Sequence, residues 1–141
     1  MNRDQIVAEA RRYKDAKTPW RHRGRTSTGL DCAGLVTIIC DAFDEPYEDN
    51  TGYGRLPDGE RFVEHFKAQF TLVDGPLKPG MIVLLRDGPL PCHCGIIARD
   101  QFGRLTLIHS SVMRRGVVEE VWDTHWQTAF RCALDFKGIE D

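Results

Sequence analysis

The stretch Thr28-Gly29-Leu30-Asp31-Cys32-Ala33-Gly34-Leu35-Val36 is where this chain changes character. A polar segment rich in Arg, Gly, Ser and Thr gives way to apolar residues at helical spacing. Asp31 has the side chain of a helix N-cap, which places Cys32 in the first turn. Unpaired backbone N–H groups and the positive end of the helix dipole favour a thiolate over a thiol there. The helix reads over residues 31–43, with Leu35, Val36, Ile39, Ala42 and Phe43 on its buried face.

Working outward, residues 2–15 read as an amphipathic helix. Asn2 caps it, Gln5 follows three residues on, and Ile6, Val7, Ala10 and Tyr13 form the apolar stripe. Residues 16–30 read as a polar loop. A second loop runs from Asp44 to Pro57, and Asp58 caps a third helix to about Lys67 that buries Phe62, Val63 and Phe66. Beyond it the period shortens from helical to strand-like. Residues 70–74, 81–86, 92–99, 104–110, 117–122 and 129–136 read as strands, with a helical turn over Asp123–Gln127. Gly75-Pro76, Pro79-Gly80, Gly88-Pro89 and Gly103 punctuate the series. Helices first and strands second predict an α+β domain, with N-terminal helices packed on a mostly antiparallel sheet of about five to six strands.

At 141 residues the chain fits one domain, 1–141, large enough to bury a full core. A net charge of −2 gives no broad basic surface for nucleic acid or anionic lipid. No apolar run approaches the ~20 residues of a membrane span. Met1-Asn2-Arg3-Asp4-Gln5 lacks the pattern of a secretory signal, so cytoplasmic synthesis is expected. Five cysteines, an odd number, argue against a full disulfide framework and for free thiols. Cys40 and Cys132 read as core fillers.

The chemistry comes from pairing this thiol with the hairpin between Cys92 and Ser110. A three-residue turn, Gln101-Phe102-Gly103, with Gly in the left-handed position, sets Ile97 opposite Leu107 and Gly95 opposite His109. His93 then lies diagonally across from His109 on one face, ~7–8 Å away by Cα, with Gly95 leaving room between the rings. Cys32, His93 and His109 thus form a catalytic set of nucleophile, base and base-orienting group. An imidazolium beside the thiol lowers its pKa from about 8.5. His93 would pair with the thiolate and protonate the leaving amine, while His109 would hold the productive tautomer. The backbone N–H of Cys32 and a donor from Trp20 or His22 would bind the oxyanion. The reaction class is acyl transfer to water.

At these residues a resemblance emerges. Pro19-Trp20-Arg21-His22 through Asp31-Cys32-Ala33-Gly34-Leu35 resembles the opening motif of the NlpC-type papain-like cell-wall peptidases. His93-Cys94-Gly95-Ile96 and Ile108-His109-Ser110 resemble their second and third motifs, and Pro79-Gly80 the segment before the first histidine. Arg23-Gly24-Arg25 and Thr51-Gly52-Tyr53-Gly54-Arg55 resemble the branch found in phage tails and gene-transfer agents. The resemblance implies a papain-like fold and hydrolysis of peptidoglycan stem peptides between D-γ-glutamate and a diamino acid. It also implies phage-like tail proteins as partners, and a site of action at the cell wall from a virion or tail. No cofactor and no metal are expected. Three positions depart from the pattern: Trp20 replaces the usual Tyr, Ala33 a common Ser, and Met81 an Asp. Trp20, His22, Asp31 and Tyr53 are the candidates for substrate or oxyanion contacts.

Competing readings are specific. Cys92, His93, Cys94 and His109 are zinc-ligand types, but in a regular strand Cys92 and Cys94 face away from His93, against a tetrahedral site. His65 and His125 read as surface residues, and Arg21–Arg25 as a solvated loop or a contact to anionic wall polymer. The alternative functions are a tail-assembly or wall-binding module with little activity, and an amidase or acyltransferase using the same pair.

Overall fold

A computed structural model describes residues 1–54, 58–88 and 90–141. Helix α1 (Arg3–Asp15) opens on the expected capping box. The Asn2 side chain accepts from the Gln5 N–H, and the Gln5 side chain accepts from the Asn2 N–H. Ile6, Val7, Ala10 and Tyr13 are its buried residues. Two short strands follow, β1 (Arg25–Thr26) and β2 (Gly29–Leu30), paired antiparallel. The sequence reads as loop here because two-residue strands have no room to alternate. Helix α2 (Cys32–Ala42) begins at the Asp31 cap, whose carboxylate accepts from the Gly34 N–H at 2.8 Å. Leu35, Val36 and Ile39 are fully buried, but Ala42 is exposed, because the helix ends there and the chain turns away. Helix α3 (Gly59–Gln69) starts at Asp58, which accepts from the Glu60 and Arg61 N–H groups. It buries Val63 and Phe66 and leaves Phe62 half-buried.

The strands form one six-stranded sheet in the order β3-β8-β4-β5-β6-β7, with every neighbouring pair antiparallel. They are β3 (Thr71–Val73), β4 (Ile82–Asp87), β5 (Leu90–Arg99), β6 (Leu105–Ser111), β7 (Gly116–Val121) and β8 (Phe130–Asp135). The expected α+β architecture, helices packed on an antiparallel sheet, is the fold observed. Of the expected turn and loop residues, Arg55, Leu56, Pro57 and Pro89 lie outside the described residues.

Strand alternation divides the core. Ile82, Leu84, Cys94, Ile96, Ile108 and Leu134 face α1, α2 and α3. Met81, Val83, Leu85, Ile97 and Leu107 face the other way, where Trp122, Trp126 and Ala129 cover them. Trp126 and Ala129 belong to α4 (Thr124–Ala129), the expected helical turn extended by two residues and capped by Asp123. Among the described residues no helix is long and apolar enough to cross a membrane.

The hairpin that carries both histidines has the register read from its turn. Gly103 adopts φ 81°, and the β5–β6 ladder runs from Arg99 opposite Leu105, through Ile97 opposite Leu107, to Ile96 opposite Ile108. Gly95 lies just past that end. A Cβ there would meet Leu107 Cδ1 at 2.5 Å, the Ile108 carbonyl oxygen at 2.9 Å and His109 Cβ at 3.1 Å. Gly95→Ala is therefore expected to lower stability by about 1–3 kcal/mol through overpacking, read as a lower urea midpoint at unchanged slope.

Candidate active site

Cys32, His93 and His109 come together. Cys32 is the first residue of α2, half-buried, and opens onto a cleft of ≈ 930 Å³ that is also lined by His93 and His109. The N–H groups of Cys32 and Ala33, in the first turn, have no intrahelical acceptor. His93 Nε2 lies 2.8 Å from His109 Nδ1, with the rings edge-to-face at 5.0 Å. The His93 side chain also hydrogen-bonds the Cys32 sulfur. With Nε2 committed to His109, Nδ1 is the nitrogen left for the sulfur.

The sulfur has a second partner, the thiol of Cys94. Cys94 pairs with Leu84 and points to the helices, whereas His93 pairs with Leu85 and points to the other face. A sulfur bonded to both lies beside the strand's edge. The Cys32 pKa is pulled down to about 5. The Cys94 hydrogen bond contributes most, burial opposes it, and the hydrogen bond and charge of His93 add to the lowering. Burial pushes Cys94 up, and its bond to Cys32 keeps it the protonated donor of the pair.

His109 is 1% exposed. Burial and the neighbouring charge of His93 lower its pKa to about 4, against the pull of Glu120, so it is neutral at pH 7. Its Nε2 lies 2.5 Å from Glu120 Oε2. Trp126 covers this pair: its ring lies parallel to His93 at 6.3 Å and edge-on to His109 at 4.9 Å. Sequence reading missed Glu120 and Trp126. The signal for Glu120 was faint: it sits in the expected strand 117–122, opposite Leu107 and hence on the face of His109. Nothing local marks Trp126, whose place follows from α4 folding back over the sheet.

The four further candidates line the same cleft. Trp20 and His22 stand ahead of α2 with ring centroids 6.4 Å apart, and His22 packs edge-on against Tyr53 at 5.8 Å. The Trp20 backbone N–H donates to the Arg115 carbonyl at 3.1 Å. Asp31 and Tyr53 are committed to a buried network. Asp31 accepts from the Gly34 N–H, the Arg23 N–H at 3.0 Å, Arg25 Nη1 at 2.8 Å and the Tyr53 hydroxyl. Arg25 also donates to Tyr53 Oη at 2.8 Å and to Asp49 at 2.9 Å. This network straps the segment around Asp49–Tyr53 to the start of α2. So Arg25 is a half-buried ion-pair member rather than part of a solvated basic run. His65 also departs from the surface reading: it is half-buried in the cleft wall, 3.3 Å from the Tyr47 hydroxyl. His125 is exposed at the cleft rim. Among the described residues no group of three or more His, Cys, Asp or Glu side chains is arranged to hold a metal ion.

Solved structures share this arrangement of helices and sheet. This is the fold of the NlpC/P60 proteins. An NlpC/P60 family protein from Bacillus cereus superposes with a TM-score of 0.72 and 15% identity, over 96% of this chain and 40% of the other. The NlpC/P60 domain of the peptidoglycan hydrolase SagA gives 0.65 and 19%, over 96% and 99%. Ly7917 gives 0.61 and 13%, over 96% and 62%. The chain thus spans well under half of the first of these proteins. No protein-family model and no curated protein matches the sequence.

Two measurements test the geometry. Iodoacetamide is expected to alkylate Cys32 with a rate that rises with pH through about 5, because only the thiolate reacts. Cys40, buried and pushed up to about 12, stays unlabelled in the folded protein; peptide mass mapping reads both. Arg25→Ala, which leaves the buried Asp31 carboxylate without its ion-pair partner, is expected to cost about 3 kcal/mol in urea unfolding.

Proposed function

We propose that this protein is a cysteine endopeptidase that hydrolyses peptidoglycan stem peptides at the bond between D-γ-glutamate and a diamino acid, with residues 1–141 acting as one peptidase domain. The observation that carries the reading is the line Cys32–His93–His109 at the floor of an open cleft, with the sulfur held as a thiolate. The likeness of fold to the NlpC/P60 domain of a peptidoglycan hydrolase supports the choice of substrate.

The steps follow from the atoms. The Cys32 thiolate attacks the carbonyl carbon, and the oxygen takes the negative charge against the first-turn amides, which have no intrahelical acceptor. Trp20 or His22, at the same cleft wall, supplies the further donor. The His93 imidazolium gives its Nδ1 proton to the leaving amine, which departs as the thioester forms. The same nitrogen, now bare, takes a proton from the incoming water, and hydrolysis of the thioester restores the ion pair. His109 orients His93 throughout. Asp31 and Tyr53 act on the substrate through the shape they give the cleft, since their oxygens are committed to each other and to Arg25.

A phage-tail or gene-transfer-agent setting, with delivery to the cell wall from a virion or tail and tail proteins as partners, rests on Arg23-Gly24-Arg25 and the run from Thr51 to Gly54. Arg55, the last residue of that motif, lies outside the described residues.

Digestion of defined muropeptides, read by mass, tests the reading. Wild type should release fragments with a new amino terminus at the diamino acid. Cys32→Ala should release none while keeping its far-UV circular dichroism. Equal digestion by the Ala variant would remove Cys32 from the mechanism, and cleavage at the sugar–peptide amide would make the enzyme an amidase.

A further inference from the structure

Glu120 is a charged group that the steps above do not use. It lies on β7, and its carboxylate bridges two partners: Oε2 is 2.5 Å from His109 Nε2, and Oε1 is 3.4 Å from Arg114 Nη2. Its side chain is 25% exposed and that of His109 2%, whereas Arg114 stands in solvent at 65%. We propose that Glu120 is a positioning residue for the cysteine–histidine pair. Its carboxylate fixes His109 as the tautomer protonated on Nε2, and its charge stabilises the imidazolium of His93 one ring away. The inference rests on the reading of Cys32 and His93 as nucleophile and acid–base group.

The argument is one of donors and acceptors. A charged His93 carries an N–H on each nitrogen. One faces the Cys32 sulfur, and the other, on Nε2, faces His109 Nδ1. That contact is a hydrogen bond only if His109 Nδ1 is bare, so the single proton of neutral His109 sits on Nε2. A buried N–H there needs an acceptor, and the carboxylate of Glu120 is placed as one. The opposite tautomer would point one N–H at another and a bare nitrogen at a carboxylate. Both contacts are repulsive, so the carboxylate selects the working form.

The electrostatic half follows from the charges around the relay. Among the described residues, the titratable and charged groups that face it include Cys32 from α2 with Asp31 at its cap, His93 and Cys94 from β5, His125 beside Trp126 from α4, and Arg114 from the turn between β6 and β7. The neighbouring Glu119 turns to Arg11 and Thr106 instead. Glu120 thus places a carboxylate in contact with His109, and Arg114 partly neutralises it. Removing the carboxylate charge makes His93 a stronger acid. Removing the guanidinium leaves the carboxylate unopposed and does the reverse.

The pH dependence of Cys32 alkylation reads this without a substrate. Wild type should give two steps: an acid one, where the thiolate–imidazolium pair forms, and an alkaline one, where His93 loses its proton. Glu120→Gln keeps an acceptor oxygen but no charge, and should move the alkaline step down by about one pH unit. Arg114→Ala should move it up. Glu120→Ala should also release the His109 proton from Nε2, seen in imidazole ¹⁵N shifts. It should lower kcat on muropeptides about tenfold at unchanged KM, with Gln retaining more than Ala. A two-step wild-type profile that neither Glu120→Gln nor Arg114→Ala displaces would overturn this inference alone. A wild-type profile with one ordinary thiol step would overturn the underlying reading as well.

Discussion

The carboxylate of Asp31 is the constraint on which the site depends. It is 5% exposed and would be costly to bury alone. Its two oxygens instead take four donors: two backbone amides, the Arg25 guanidinium and the Tyr53 hydroxyl. One of those bonds caps α2, and that decides where the helix begins and which residue stands in its first turn. The others tie the β1–β2 hairpin and the segment around Tyr53 to the same point. A single buried charge therefore sets the position of Cys32 and the wall of the cleft above it.

From that point the site runs as a sequence of donors and acceptors across three strands. Sulfur, His93 and Glu120 favour charge, and His109, between the last two, resists it. His109, sealed beneath Trp126, resists it: burial and the neighbouring imidazolium both keep it neutral. A neutral imidazole between a cation and an anion transmits orientation without itself taking up a proton. Cys94 plays the corresponding part on the helix side, a thiol held protonated by burial that donates to the sulfur beside it.

How much of this was legible in the chain follows from the range of each signal. The caps of α1, α2 and α3 are local patterns of a few residues, and all three stand where the sequence sets them. The register of the histidine hairpin was legible for the same reason: Gly103 and a three-residue turn fix every pairing up to Ile96 opposite Ile108. Four contributions needed contacts distant in sequence. Arg25 looked solvated because its partners Asp31, Asp49 and Tyr53 are brought to it by folding. Glu120 and Trp126 reach the histidines only once β7 and α4 have packed. Cys94 reads as facing away from His93, because strand alternation does not show that a helix N-terminus abuts the strand edge. The insertion of β8 between β3 and β4 leaves no trace in local sequence at all.

That insertion bears on how the molecule comes to be. Val73 pairs with Ala133, and Val83 with the same residue from the other side. The place between β3 and β4 is thus vacant until residues 130–135 have emerged from the ribosome. Closing so long an intervening loop is entropically slow, and contacts of this separation delay folding. Every element that carries Cys32, His93, His109 and Glu120 precedes that strand in the chain, and the strand joins the sheet on the other side of β4 from the histidines, so the last segment made closes the β3 end of the sheet.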